Sequence, residues 1–276
     1  MKAWYLKFEE IQKEVETLLR RNDIRKVYNA VLFAAIYAAL LKRKVSYEHL
    51  SSLAETIPPH LLGEAKGKLH RHFLDLISVL EEALRSRKPV IVDGEANLQV
   101  VLGWLKKEIG SVDYVVLYDC LSPIELLVIS SYLLKSGFYA KPLGRVFINP
   151  VGLTRFVTSQ LSEQEHPRTL HMVAQHIARE LGARGADVNP LVDRIVHESG
   201  LKGIKEFADT LNIEEIAREV FSAAKKGRLL LGSDHGYDLV LTPDRDIVVT
   251  HGFKLRDESS ILLPLSRLAV YSVFWR

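Results

Sequence analysis

The sequence predicts an α/β protein, in which a three-layer domain with a mainly parallel sheet follows an all-helical N-terminal region. Apolar residues recur at three- and four-residue steps through residues 1–86, a spacing typical of amphipathic helices. From residue 88 onward, four short apolar segments alternate with amphipathic helical segments, as a parallel sheet covered on both faces requires. The chain has 276 residues, 47% of them hydrophobic, which suffices for one sizeable core and a smaller appended domain. We therefore expect a helical domain at residues 1–86 and an α/β domain at residues 87–276.

Four helices are predicted in the N-terminal region. The first ends near residue 21, and Asn22-Asp23 offers a cap for the second. A break at Pro58-Pro59 separates the third helix from the fourth, because proline cannot continue a helix. The last three predicted helices cover residues 24–42, 46–55 and 61–85.

Composition and charge predict a cytoplasmic protein without membrane contact. Cys120 is the single cysteine, which fits a reducing compartment, and no N-terminal segment has the residue order of a signal peptide. Residues 27–41 are the most apolar stretch, but a bilayer span needs about 20 residues, so a buried helix is predicted. The net charge of +3 equals the surplus of residues 1–86, which hold 14 Lys and Arg against 11 Asp and Glu. This basic region is interpreted either as a packing or lid domain or as a surface for nucleic acid or a protein partner.

The α/β region shows strand and helix patterns in alternation. The first strand, at residues 89–92, ends at Asp93, which is a further candidate ligand, and a helix at residues 98–109 follows it. Ser122 is a natural N-cap for a later helix, and Pro123 suits the first turn of that helix. The other strands are predicted at residues 114–119, 144–148 and 229–231, and the other helices at residues 123–135, 169–181 and 213–226.

Candidate metal ligands follow the last of these strands. The apolar run at residues 229–231 leads into Ser-Asp-His-Gly at residues 233–236, the end of a strand where ligands bind in open α/β sheets. Asp234 and His235 offer an oxygen beside an imidazole, a pair that a divalent metal such as zinc or manganese can use. A hairpin-like segment then ends at a further imidazole, His251.

These motifs resemble the alkaline phosphatase superfamily. Ser-Asp-His-Gly after an apolar run looks like its metal-binding signature. His-Gly followed by an aliphatic-Pro segment, here His251-Gly252 and Ile261–Pro264, is similar to its PglZ branch. The resemblance covers residues 88–276 and implies an alkaline-phosphatase-like α/β fold, but it leaves the helical N-terminal third unexplained.

The resemblance also implies a metal ligand and a nucleophile. Asp119, at the end of a strand, matches a metal ligand of the family and would join Asp234 and His235. Thr154-Arg155 resembles the pair that opens a helix in the family, with Thr154 as the nucleophile and Arg155 as a stabiliser of the transition-state oxygens. In the structural alternatives, Asp119 and Thr154 cap helices and Arg155 pairs with a surface carboxylate.

A second metal site has two interpretations. Asp193 and His197 have the Asp-x-x-x-His spacing that the superfamily uses, and with His251 they would complete a two-metal site. The family places a glycine just before that histidine, whereas Val196 stands there in this chain. In the alternative, residues 192–198 form the strand themselves and the expected aspartate is absent.

The resemblance implies a metal-dependent phosphohydrolase or phosphodiesterase with a threonine nucleophile. One or two divalent ions, zinc, manganese or magnesium, would serve as cofactors. The substrate would be a phosphate ester, and the PglZ proteins of phage-defence systems suggest nucleic acid. The alternative from a different class is a non-catalytic PglZ-like binding or assembly subunit with a degenerate metal site, in which the N-terminal helices bind a protein partner.

Overall fold

Helices at the N-terminus precede a mixed α/β arrangement in the computed structural model, which confirms the predicted fold class at that level. The structure describes residues 2–85, 98–149, 152–161, 169–198, 203–244, 246–251 and 260–276. Four sequence predictions lie outside the described residues: the strand at residues 89–92, Asp93, the domain boundary at residue 86, and Gly252.

The N-terminal region folds as helices joined by short turns. The α-helices are α1 (Lys2–Leu19), α2 (Ile24–Lys42), α3 (Ser51–Ala54), α4 (Pro59–Glu64) and α5 (His70–Arg85). A 3-10 turn at Tyr47–Leu50 leads into α3, and a π-helical turn at Ala65–Leu69 joins α4 to α5. The fourth predicted helix begins earlier than expected because Pro59 occupies a first-turn position, where its missing N–H leaves no hydrogen bond unmade.

α2 is the most deeply buried helix of this region. Asp23 caps it by accepting a hydrogen bond from the backbone N–H of Lys26 at 2.9 Å. The helix is long and apolar enough to cross a membrane, and 78% of its apolar 18-residue window is buried within the protein. A helix that is apolar all round is expected to be buried, and α2 packs against α1 and α5.

The remaining elements alternate between helices and strands. The helices are α6 (Leu98–Glu108), α7 (Pro123–Lys135), α8 (Thr154–Thr158), α9 (Leu170–Leu181), α10 (Leu191–Glu198), α11 (Ile204–Thr210) and α12 (Ile213–Ala224). The strands are β1 (Tyr114–Tyr118), β2 (Tyr139–Ile148), β3 (Gly185–Asn189), β4 (Leu229–Ser233), β5 (Asp238–Leu241), β6 (Ile247–Thr250), β7 (Ile261–Pro264) and β8 (Leu268–Trp275). The sequence patterns predict neither β3 nor β8. Residues 192–198 are helical, so the alternative in which they form a strand is wrong.

A five-stranded sheet of order β2-β8-β4-β1-β3 forms the centre of the α/β region. β1 pairs in parallel with β3 and β4, whereas β8 pairs antiparallel with β2 and β4. β8 alone opposes the other four strands, which run in one direction, so the sheet is mixed. After β4, the chain builds a second, antiparallel sheet of order β6-β5-β7 and then enters β8. β8 starts beside the carboxyl end of β4 and must therefore run back along it.

Apolar side chains cover both faces of the five-stranded sheet. Successive residues of a strand point to opposite faces, and in β4 Leu229 and Leu231 join one cluster while Leu230 joins the other. The apolar group that contains Leu229 and Leu231 also includes residues of α2, α7 and α12, so the N-terminal helices share a core with the α/β region. The apolar group that contains Leu230 includes residues of α6 and α9.

Candidate metal centre

Two aspartates follow neighbouring parallel strands. Asp119 comes directly after β1 and Asp234 directly after β4, and the pairing of these strands reaches Leu117 opposite Gly232. The carboxyl ends of parallel strands meet at the same edge of a sheet. Both aspartates therefore lie at one edge, together with His235, the residue after Asp234.

The first cluster consists of Asp119, Asp234 and His235, with Thr154 beside it. His235 Nε2 lies 3.2 Å from Asp119 Oδ1 and 3.9 Å from Asp234 Oδ2. Thr154 Oγ1 lies 3.1 Å from the same His235 nitrogen and donates to Asp119 Oδ1 at 3.3 Å. One ligand atom from each member of the first cluster lies within 4.8 Å of the others, so the three side chains could hold one metal ion.

Asp119 and Thr154 do not cap the helices that follow them. Ser122 caps α7, since its Oγ accepts from the backbone N–H of Ile124 at 3.1 Å. The N-cap position of α8 is Leu153, which offers no side-chain hydrogen bond. The Asp119 and Thr154 side chains are directed instead to the first cluster, where their polar atoms meet His235.

The His235 ring is oriented by a backbone carbonyl. The side chain is 1% exposed, and its Nδ1 lies 2.9 Å from the carbonyl oxygen of Gly236. Because a carbonyl oxygen only accepts, we assign a proton to Nδ1, which leaves Nε2 facing the carboxylates and Thr154. A metal-binding histidine usually donates its second ring N–H in this way.

Burial shifts the protonation of the first cluster. Burial raises the pKa of Asp234 to about 6, because the charged carboxylate loses its hydration. Burial by itself lowers the pKa of His235, but the charge of Asp234 and the hydrogen bond to Asp119 raise it, and the pKa ends above its ordinary value. Both shifts favour the protonated forms of these side chains, whereas a bound cation would favour the deprotonated forms.

The Asp234 carboxylate fits a cation. The residue is 1% exposed, and neither of its side-chain oxygens has a hydrogen-bond partner among the described residues. A buried carboxylate without hydrogen-bond partners is costly, whereas a divalent cation would satisfy both oxygens. The set of two carboxylates and one imidazole suits zinc or manganese.

The second cluster consists of Asp193, His197 and His251. His251 Nε2 lies 3.0 Å from Asp193 Oδ1 and 3.1 Å from His197 Nε2. Within α10, His197 Nε2 lies 3.3 Å from Asp193 Oδ1. The spacing of four places Asp193 and His197 on one face of α10, towards the residue that follows β6. Two nitrogens and a carboxylate oxygen within 4.8 Å could hold a second metal ion.

Cys120 lies between the two clusters, and the sequence analysis did not include it in the site. Its Sγ donates to Asp193 Oδ1 at 3.4 Å and lies 3.4 Å from His235 Nδ1. The His235 and His251 rings, one from each cluster, have centroids 5.2 Å apart. Cys120 has φ +67°, a left-handed conformation that is uncommon for non-glycine residues. No sequence pattern marks such a conformation.

Asn149 is a second residue that the sequence analysis did not include. It is fully buried, and its Nδ2 donates to the carbonyl oxygens of Leu153 at 3.1 Å and Asp234 at 3.0 Å. Its Oδ1 accepts from the backbone N–H of Gly152 at 3.0 Å. Asn149 thus connects the segment before Thr154 to the backbone of Asp234. Its position directly after β2 is the one sequence signal that could have found it.

The structure brings the six predicted ligands into these two clusters and places Thr154 against the first. Arg155 lies in α8 directly after Thr154, and its side chain is exposed.

A comparison with models of protein families matched none of them to this chain. A comparison with the curated proteins found no similar protein. The chemistry of the site therefore has to be argued from its geometry.

Proposed function

We propose that the chain is a metal-dependent phosphohydrolase or phosphodiesterase of the alkaline phosphatase type, with a PglZ-like domain and Thr154 as its nucleophile. The observation that carries the proposal is the position of Thr154 Oγ1, 3.1 Å from His235 Nε2 and 3.3 Å from Asp119 Oδ1. This hydroxyl lies against a cluster in which the buried Asp234 carboxylate has no hydrogen-bond partner among the described residues. A nucleophile beside a set of carboxylate and imidazole ligands is the arrangement that metal-assisted phosphoryl transfer requires.

Two sets of residues would hold the divalent ions. The first cluster (Asp119, Asp234 and His235) would hold one ion, and the second cluster (Asp193, His197 and His251) would hold the other. When bound, such ions supply charge that stabilises the phosphoryl oxygens and lowers the pKa of a neighbouring hydroxyl.

The protein's own groups position the nucleophile and handle its proton. The hydrogen bond from Thr154 Oγ1 orients the hydroxyl, and Asp119 Oδ1 is placed to receive its proton. As Thr154 Oγ1 bonds to phosphorus, the ester oxygen leaves with its electron pair and is protonated to the alcohol. Water then hydrolyses the phosphothreonine, releases phosphate or a phosphomonoester, and regenerates Thr154. Arg155 is proposed to face the equatorial oxygens of the transferred group.

The proposed substrate class is a phosphate ester. The resemblance to PglZ proteins favours nucleic acid in a phage-defence setting. Residues 1–86 carry 14 Lys and Arg against 11 Asp and Glu, a surplus that favours an anionic substrate or a partner surface there. A cytoplasmic location remains part of this proposal.

The test is hydrolysis of aryl phosphate mono- and diesters by the full chain, freed of metal with EDTA and reloaded with Mn²⁺, Zn²⁺ or Mg²⁺. We expect metal-dependent activity that Thr154→Ala and Asp234→Ala abolish. Thr158→Ala, the same change on the same short helix, is the matched control and should retain activity. Activity that survives both Thr154→Ala and Asp234→Ala contradicts the proposal. Metal binding by a wild-type protein that hydrolyses none of these esters supports the non-catalytic binding or assembly subunit instead.

A further inference from the structure

Glu125 is a buried carboxylate that the proposed reaction does not use. It lies in α7 and is fully buried, as are the side chains of Tyr28 from α2 and Tyr237. The hydroxyls of Tyr28 and Tyr237 donate to Glu125 Oε1 at 2.7 Å and 2.6 Å. Glu125 Oε2 accepts from the backbone N–H of Ser122 at 3.0 Å and also from the Ser122 hydroxyl. The carboxylate thus joins a helix of the N-terminal region to the segment beside the first cluster.

Burying this carboxylate costs free energy unless its oxygens are satisfied. Burial raises the pKa of Glu125, and the hydrogen bonds from Ser122, Tyr237 and Tyr28 oppose that rise. An ionised carboxylate only accepts hydrogen bonds, and the four groups around it all donate. The four donors therefore define one geometry for the two tyrosines and for the start of α7, more tightly than apolar packing would.

The Glu125 network reaches the first cluster along two short segments of chain. Tyr237 is two residues after His235, and Ser122 is three residues after Asp119. Gly236 packs closely against Ser122 and Leu265, since a Cβ at this position would come within 3.1 Å of Ser122 Cβ and 2.8 Å of the Leu265 carbonyl oxygen. The carbonyl oxygen of Gly236 orients the His235 ring through Nδ1. A movement of Tyr237 would therefore move the Gly236 carbonyl oxygen, which orients the His235 ring and so sets the position of Nε2.

We propose that Glu125, Tyr28 and Tyr237 are positioning residues of the metal centre, through which the N-terminal helices raise the affinity of the first cluster for its cation. This inference rests on the proposed metal dependence and adds a role for the helices that the resemblance leaves unexplained. Tyr28 contacts the Glu125 carboxylate rather than a ligand, so its effect on the cation is transmitted through Tyr237 and the backbone of Gly236.

The experiment compares tyrosine-to-phenylalanine variants that each remove one hydroxyl donating to a glutamate. Tyr28→Phe and Tyr237→Phe break the Glu125 network. Tyr118→Phe is the matched control, because the Tyr118 hydroxyl donates at 2.9 Å to Glu219, away from the Glu125 network. Binding of Mn²⁺ to the EDTA-treated full chain is titrated by the loss of free-ion electron paramagnetic resonance signal, well below the unfolding temperature. The unfolding midpoint of each metal-free variant is recorded beside it.

We expect Tyr28→Phe and Tyr237→Phe to raise the Kd for Mn²⁺ about tenfold, the lower end of the effect of removing an outer-shell partner. Tyr118→Phe should keep the Kd for Mn²⁺ within about twofold of the wild-type value, even if its unfolding midpoint falls as far as that of Tyr28→Phe. The double variant Tyr28→Phe/Tyr237→Phe should raise the Kd by less than the product of the single effects, because both hydroxyls act through the same carboxylate. A role limited to stability would move the midpoint and leave the Kd unchanged.

The outcomes separate this inference from the proposed function. A wild-type protein that binds Mn²⁺, with Tyr28→Phe and Tyr237→Phe equal to Tyr118→Phe, overturns the inference and leaves the proposed function standing. A wild-type protein without affinity for Mn²⁺, Zn²⁺ or Mg²⁺ overturns both. If Tyr28→Phe does not fold, Glu125→Gln takes its place in the same titration, since its amide oxygen still accepts from both tyrosines while its NH₂ group faces the Ser122 donors. An unchanged Kd in Glu125→Gln and Tyr237→Phe would then overturn the inference.

Discussion

At the residue scale, His235 presents its two nitrogens to different surroundings. Nδ1 meets the Gly236 carbonyl oxygen at 2.9 Å, and Nε2 faces Asp119 and Thr154. The sequence could predict that Asp234 and His235 lie together at the end of a strand, because both follow an apolar run directly. Cys120 could not be predicted, because its role depends on a left-handed backbone conformation and on contacts with residues far along the chain.

Changing His251 to alanine tests the second cluster. His251 Nε2 contacts both Asp193 and His197, and its Nδ1 has no partner among the residues described here. We therefore expect His251→Ala to remain folded and to lose one equivalent of bound metal, measured by elemental analysis after reloading. His176→Ala, which removes a half-buried histidine of α9 outside both clusters, is the control and should keep the wild-type stoichiometry. Equal metal content in the two variants would contradict the assignment of His251.

Asn149→Asp tests the connection between the nucleophile segment and Asp234. The new carboxylate can still accept from Gly152, but it cannot donate to the carbonyl oxygens of Leu153 and Asp234. Leaving buried carbonyls unsatisfied costs about 1–3 kcal/mol, so the unfolding free energy should fall by that amount in urea titrations. We also expect kcat for the aryl ester to fall at saturating metal, because Thr154 loses its fixed position. Wild-type kcat and stability in this variant would show that Asn149 does not hold the segment.

At the scale of single elements, periodicity predicted the long helices and missed the strands β3 and β8. α2 and α7 have the expected bounds because caps and proline positions mark their starts. β3 is an edge strand with a half-buried surface and the sequence Gly-Ala-Asp-Val-Asn, which lacks both an apolar run and regular alternation. α10 was ambiguous because it is short, and tertiary contacts with β6 and α11 decide its helical form.

The pH dependence of stability tests the buried carboxylate of α7. Burial raises the pKa of Glu125 above its unfolded value, so the folded state binds this proton more tightly than the unfolded state. The resulting stability is present below the unfolded pKa of about 4.3 and is lost as pH rises through the folded pKa. Glu125→Gln cannot ionise, so the stability of wild type minus that of Glu125→Gln should fall as pH rises from about 4.3. Urea unfolding of both metal-free proteins across this range measures that difference, with the exposed Glu219→Gln as control. A difference that rises with pH would contradict a raised pKa of Glu125 in the folded state.

At the scale of the whole molecule, the N-terminal helices and the α/β region share one apolar cluster and one polar network. The cluster runs from α1 and α2 through α7 to β4 and β8. The polar network joins Tyr28 to Glu125, 97 residues apart in sequence, and Glu125 to Tyr237, 112 residues further on. Neither separation leaves a local pattern, which is why the sequence could predict helices and strands of both regions but not the polar network that joins them.

Thermal stability with and without metal tests both clusters in the intact chain. A ligand that binds only the folded state stabilises it by about 2.7 kcal/mol at a free concentration of 100 Kd. For chains of this size, each kcal/mol moves Tm by about 2–4 °C, so saturating Mn²⁺ or Zn²⁺ should raise Tm by about 5–10 °C over the EDTA-treated protein. His251→Ala, which retains the first cluster alone, should show a smaller rise, and Asp234→Ala should lose the contribution of the first cluster. Differential scanning calorimetry in matched ionic strength, with K⁺ in place of the divalent ion, measures this shift. A wild-type Tm that is the same with Mn²⁺, Zn²⁺ and K⁺ would show that neither cluster binds a divalent cation. The Asp234 carboxylate, which has no hydrogen-bond partner among the described residues, and the facing imidazoles would then gain no stability from such an ion.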